Sequence, residues 1–158
     1  MKTNVIPYPK MPEDAVVSSG STRHIKYLNL LAKAATDIST PIKGNNRMSA
    51  CIVYQNEVVA FGVNERKSHP FQAKFLKNEH AIYLHAEVSA IKNALKRISL
   101  EELEKSTLYI CRVKFTDMKK KGLMFGLSKP CCGCERCIHT FGIQNVIYTL
   151  DGDGYSVL

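Results

Sequence analysis

One histidine, one glutamate and two cysteines carry the chemistry this chain can do. Leu84-His85-Ala86-Glu87 sets His85 two residues before Glu87, and Pro130-Cys131-Cys132-Gly133-Cys134 sets Cys131 and Cys134 at Cys-x-x-Cys spacing. An imidazole and two thiolates are borderline and soft donors that suit zinc. Three protein ligands leave the fourth tetrahedral position to a water, the arrangement of a catalytic rather than a structural centre. Zinc lowers the pKa of such a water from about 15.7 to roughly 7, which makes a nucleophile available at neutral pH. Glu87 is the acidic residue inside the motif and the candidate general acid and base. The rival is a closed, structural site in which Cys137 joins His85, Cys131 and Cys134 as a fourth ligand. That site would leave Glu87 without a task.

These residues constrain the elements that hold them. Residues two apart do not share a face of a regular helix. His85 and Glu87 converge on one ion only if a helix begins close to His85, and the same holds for Cys131 at the start of a later helix, where Pro130 suits a first turn. Two helix N-termini, with free N–H groups and positive dipole ends, would then face the metal and help to hold the thiolates.

His-x-Glu followed by Pro-Cys-x-x-Cys is the signature of the zinc deaminases, and the sequence resembles the cytidine and deoxycytidylate deaminase superfamily from about Arg23 to Leu158. The resemblance implies a three-layer αβα fold, of class α/β, with a mixed central sheet of about five strands. It implies bound Zn2+ and hydrolytic replacement of a ring amine by oxygen, releasing ammonia, with a cytosine nucleotide or nucleoside as substrate. It also implies substrate contacts at Asn64, which ends Phe61-Gly62-Val63-Asn64, and at Ala86, and a homo-oligomer. Relatives acting on free deoxycytidylate often carry Gly-Tyr-Asn-Gly where this chain has Gly62-Val63-Asn64-Glu65. A deaminase acting on a base in RNA or single-stranded DNA is one alternative, with Phe71, Phe75, Tyr83 and the Lys119-Lys120-Lys121 run as stacking and backbone contacts. A non-catalytic zinc module that binds nucleic acid is another.

Taken in order, Met1 to Thr22 reads as an extended arm. Pro7, Pro9 and Pro12 disfavour helix there, and Ser18 to Thr22 is rich in small polar residues. The deaminase domain is expected over residues 23–158. Arg23 to Ile38 has helical spacing of apolar residues, and Thr40-Pro41 is the expected stop. Met48 to Tyr54 and Val58 to Val63 read as a hairpin turning at Gln55-Asn56-Glu57. Asn64 to Asn78 is a long polar loop of the kind that carries function. His80 to about Lys105 contains the second helix, with Ser99 to Lys105 a further turn or a separate short helix. Thr107 to Phe115 is a strand and Thr116 to Lys129 a second loop. Cys131 to Phe141 is a helix ended by Gly142, and Asn145 to Leu150 is a strand. The short Asp151-Gly152-Asp153-Gly154 turn returns Tyr155 to Leu158 antiparallel. In resembling deoxycytidylate and tRNA deaminases a helix generally precedes a parallel last strand.

The remaining histidines fit structural roles better than catalytic ones. His69 and His80 fall in or near the polar loop, His139 on the third helix, and His24 has no functional context.

The 158 residues are 45% hydrophobic and 23% charged, an ordinary balance for one globular domain. Met1 to Asp14 has no apolar h-region, and no run nears the roughly 20 apolar residues of a membrane span, so a cytoplasmic protein without membrane contact is expected. Three of the six cysteines crowd into Cys131 to Cys134 with Cys137 behind them, which reads as metal binding in a reducing compartment. Cys51 and Cys111 lie in apolar runs and read as buried thiols. A net charge of +8 and a pI near 9.2 favour an anionic partner, nucleotide phosphate or nucleic acid.

Overall fold

The computed structural model describes residues 21–38, 47–75, 83–115, 122–152 and 154–158. The expectations for the arm up to Gly20, Thr40-Pro41, His80 and Lys119 to Lys121 fall outside them. The elements are α1 (Ser21–Thr36), β1 (Arg47–Tyr54), β2 (Glu57–Val63), α2 (Pro70–Ala73), α3 (Ala86–Ala94), α4 (Leu100–Glu104), β3 (Thr107–Phe115), β4 (Leu123–Gly126), α5 (Cys132–Thr140), β5 (Asn145–Thr149) and β6 (Tyr155–Val157).

The strands form one mixed sheet in the order β2-β1-β3-β5-β6. Only β3 and β5 run parallel; the other pairs are antiparallel. Gln55 and Asn56 take positive φ values of 49° and 66°, which makes the β1–β2 connection a two-residue turn whose twist suits a hairpin. β6 returns antiparallel to β5, pairing Tyr148 with Ser156, and the return passes through Gly152 and Gly154 at φ 89° and 86°. No room is left for a helix ahead of the last strand.

The sheet has six strands, one more than expected. The addition is β4, inside the stretch from Thr116 to Lys129 expected as a loop. β5 covers one edge of β3 only from Thr107 to Ile110, and β4 takes the rest of that edge, from Arg112 to Phe115. A four-residue strand beside a lysine run carries little pattern of its own; the unpaired end of a long neighbour makes it a strand.

Period-two alternation explains the layers. Ala50, Ile52, Leu108, Ile110, Val146 and Tyr148 face α3 and α5. Their neighbours Cys51, Val53, Tyr109, Cys111, Val113 and Ile147 face α1. Tyr27, Leu28, Leu31, Ala32 and Ala35 form the buried stripe of α1, at the spacing a helix needs to bury one side. That helix starts at Ser21, two residues inside the expected arm. Arg47 reaches back from β1 to its other end and donates to the carbonyl oxygens of Thr36, at 3.0 Å, and Ile38. α4 stands apart from α3, opened by a capping box in which Ser99 Oγ accepts from Glu102 N and Glu102 accepts from Ser99 N.

On the opposite face, α3 lies close on β2. A Cβ added at Gly62 would sit 2.4 Å from both Ala86 O and Ala90 N. Glycine here is a matter of contact distance: the helix that begins beside His85 can approach the strand because residue 62 has no side chain.

Candidate metal centre and active site

α3 and α5 each present an N-terminus to the same place. His85 is the N-cap of α3, with extended backbone (φ −80°, ψ 154°). Cys131 is the N-cap of α5 (φ −71°, ψ 166°). Neither side chain caps its own helix, so both are free to turn toward one another. His85 Nδ1 lies 3.5 Å from Cys131 Sγ and 3.3 Å from Cys134 Sγ, and the three ligand atoms all lie within 4.8 Å of one another. Around a tetrahedral zinc with Zn–S near 2.3 Å and Zn–N near 2.0–2.1 Å, a nitrogen and a sulfur stand about 3.6 Å apart. The donor set therefore fits zinc in type and in spacing.

Cys137 is not a member of this cluster. It lies in the apolar core between α5 and the sheet, and burial pushes its thiol up to about 12. The four-ligand site considered from sequence is not formed. Cys132 is exposed and faces Arg136 Nη2 at 3.8 Å.

Glu87, two residues into α3, is 2% exposed, and its Oε2 has no hydrogen-bond partner. Burial raises its pKa, against a lowering pull from its own backbone N–H and from His85. A carboxyl whose pKa is raised in this way holds a proton more readily once it has taken one, which suits a group that both takes and returns protons. Of the two thiols, the hydrogen bond from Cys134 holds Cys131 down at about 3, helped by His85. Cys134 is pushed up by the same bond and by burial. Without a metal ion, Cys131 is therefore the more acidic of the two thiols. His85 is raised, first by its bond to Cys131. The charge order is an imidazole facing a thiolate, with a carboxyl kept out of water beside them.

The segment after β2 leads to this centre. Glu65 N donates to Leu84 O at 3.0 Å and Leu84 N to Lys67 O at 3.1 Å, so residues 65–67 run alongside the residue before His85. A cleft of about 540 Å³ opens beside residues 63–67, closed on its other side by Ala34, Asp37 and Ile38 at the end of α1; His85, Glu87, Cys131 and Cys134 are not in its lining. Asn64 is buried, and its Oδ1 accepts from Met48 N at 2.9 Å. Ala86 is buried as the first residue of α3, so its N–H has no carbonyl of its own helix to pair with.

His69 Nδ1 accepts from Phe71 N at 3.1 Å and caps α2, a structural role. His24 bonds Tyr109 OH at 2.8 Å on the α1 side of the sheet. His139 is exposed on α5. Phe71 and Phe75 pack with Phe141, the Phe71 and Phe141 rings stacked at 6.0 Å, so two of the aromatics considered as base platforms serve packing. Tyr83 is 42% exposed, two residues ahead of His85.

Sequence reasoning missed Gln72. It is fully buried, and its Oε1 accepts from His85 N at 2.9 Å. The only signal was a polar side chain between Phe71 and Phe75 in a stretch read as loop.

Residues 21–150 match the model of the family described as the cytidine and deoxycytidylate deaminase zinc-binding region. The chain belongs to this family. Deaminase chemistry dependent on zinc is the activity that membership carries, and the His85, Cys131 and Cys134 cluster is consistent with the family's zinc. Solved structures of this deaminase fold include a dCMP deaminase from the cyanophage S-TIM5. Its apo form is 20% identical, with a TM-score of 0.52 over 84% of this chain and 86% of that one. Its complex with dCMP and dUMP is 18% identical, with a TM-score of 0.52 over 85% and 84%. None of the curated proteins matches the sequence. Among the described residues, no helix is long and apolar enough to cross a membrane.

Proposed function

We propose that the protein hydrolytically deaminates a free cytosine nucleotide of the deoxycytidylate type, adding water and releasing ammonia to leave the uracil nucleotide. The observation that carries this reading is Glu87 Oε2, a buried carboxyl oxygen without a partner, on the helix whose N-cap is His85. A structural zinc site has no use for such a group. His85, Cys131 and Cys134 would hold Zn2+, which when bound supplies the acidity that makes water a nucleophile at neutral pH.

The chain's own residues do the rest. Glu87 takes a proton from the attacking water on its carboxylate and delivers it to the ring nitrogen beside the reacting carbon. It then takes the second proton from the new hydroxyl on that carbon and gives it to the amine, which leaves as ammonia while the carbon–oxygen double bond forms. Proton transfer by a placed side chain contributes about 10²–10⁴-fold. The Ala86 N–H offers a donor to a carbonyl of the base. Asn64, fixed through Oδ1 to Met48 N, is the residue that the family resemblance sets against the sugar or the adjacent phosphate.

A nucleotide is supported by the net charge of +8, which suits an anionic substrate, and by the likeness to a fold solved with dCMP and dUMP in a cyanophage enzyme. An unpaired strand as substrate is disfavoured by the packing of Phe71 and Phe75 against Phe141.

The test is ammonia release by zinc-loaded protein offered cytidine, deoxycytidine, their monophosphates and triphosphates, adenosine, and single-stranded oligonucleotides. Deoxycytidine monophosphate should give the highest kcat/KM. Preference for an oligonucleotide would move the protein to the nucleic-acid branch, and no release from any cytosine compound would refute the assignment.

A further inference from the structure

We infer that Gln72 is a positioning residue for the metal centre: its side-chain oxygen fixes the backbone of His85 and thereby presents the imidazole to zinc. The inference rests on the zinc assignment above and concerns a residue outside the ligand motif.

Three observations meet at this side chain. First, Gln72 Oε1 accepts from His85 N at 2.9 Å. His85 is an N-cap with no side-chain cap bond, so its orientation depends on what holds its backbone. Second, Gln72 is fully buried, while its Nε2 has no hydrogen-bond partner. A buried amide with one end unsatisfied is costly, and an aliphatic side chain of similar length would fill the space without that cost. Among the described residues, the bond to His85 N is the hydrogen bond that this side chain makes. Third, the short helix that carries Gln72 is fixed from outside the site. His69 caps it, Phe71 packs on Phe75 and Phe141, and Arg136 of α5 donates to Phe75 O. Glutamine, helix and stack together form a strut from α5 across to the start of α3, the two helices that carry the ligands.

Groups that orient a ligand without touching the metal typically cost 10–100-fold in metal affinity when removed. The loss should follow the accepting oxygen, not the volume of the side chain.

The experiment compares wild type, Gln72→Met and Gln72→Glu. Met keeps length and apolar bulk and removes the acceptor; Glu keeps an oxygen at the same reach. Zinc affinity is measured on metal-free protein by competition with a chromophoric chelator, with two further readouts: melting of the metal-free form and the visible spectrum of the cobalt-substituted form. Gln72→Met should bind zinc roughly 10–100-fold more weakly and show a changed cobalt spectrum, while its metal-free melting stays near wild type. Gln72→Glu should recover most of the affinity.

Wild-type affinity in Gln72→Met would overturn the inference. So would failure of Gln72→Glu to recover any affinity, or a metal-free Gln72→Met that no longer folds, since either makes Gln72 a general packing residue. If the wild type itself binds no zinc, the zinc assignment has failed instead.

Discussion

Gly62→Ala tests whether the close seating of α3 on β2 sets the active site. The added methyl would lie 2.4 Å from Ala86 O, 2.4 Å from Ala90 N and 2.8 Å from Ser89 Cβ. Non-bonded heavy atoms prefer about 3.5 Å or more, so strand and helix must part by about 1 Å. Two of the three neighbours are backbone atoms of a buried helix and cannot swing aside. The cost therefore sits near the upper end of the overpacking range, about 3 kcal/mol. Alanine's smaller freedom in the unfolded chain returns about 0.4–1 kcal/mol, leaving a loss near 2 kcal/mol. For a chain of 158 residues that lowers Tm by roughly 4–8 °C. The same parting moves the first turn of α3, which carries Glu87 and follows His85. A displacement of about 1 Å at a reacting group costs on the order of 10²-fold in rate. Thermal melting and ammonia release at a temperature where the variant is still folded measure the two losses separately. Gly126→Ala is the control: its Cβ would meet the side chain of Arg112 at 2.9 Å, which can move, so the loss should be smaller and kcat nearly unchanged. A Gly62→Ala protein with wild-type melting and wild-type kcat would refute the argument that this contact places the catalytic helix.

Glu87→Gln should keep the fold and the zinc while losing about 10²–10⁴-fold in kcat; zinc content and turnover on one preparation decide it. Burial raises the pKa of Glu87 above its usual 4.5, so the stability it contributes is full below about pH 4.5 and is lost as pH rises through the folded value. Metal-free Glu87→Gln should therefore gain stability over metal-free wild type as pH increases from 4 to 8, read as a growing difference in urea midpoint; a constant difference would place the carboxyl in water. Cys137→Ala should bind one zinc as the wild type does, whereas Cys131→Ser should bind it much more weakly. Loss of zinc in Cys137→Ala would restore the closed four-ligand site.

What the sequence made legible was local pattern backed by a hard constraint. His85 and Glu87 cannot share a helix face, so the reading that α3 starts beside His85 follows from their spacing, and the N-cap is found there. Gln55-Asn56 between two β-branched runs marked the hairpin because few turns suit two strands so close. What it hid were features set by partners distant in the chain. β4 exists because β3 outruns β5. Gln72 meets His85 across thirteen positions with no period to announce it. Phe71 and Phe75 looked equally suited to stacking on a base or on each other, and only Phe141, far along the chain, decides between them. Asn64 was singled out for substrate, yet its Oδ1 already accepts from Met48 N.

The placement of both ligand-bearing residues at helix starts follows from charge. Two thiolates and a carboxylate around a divalent cation would leave one net negative charge at a site where Glu87 and Cys134 are buried. The chain limits that excess in two ways. The N-termini of α3 and α5 direct unpaired N–H groups and a partial positive charge at the centre, each worth about 0.3–1 kcal/mol to a nearby anion and more when partly buried. Burial of Glu87 raises its pKa and so favours its neutral form over the carboxylate, which reduces the third negative charge. The same burial that lowers the static charge thus makes Glu87 a proton carrier, and it explains why an unpaired Oε2 is retained at a position where a glutamine would lower the energetic cost but could not accept a proton.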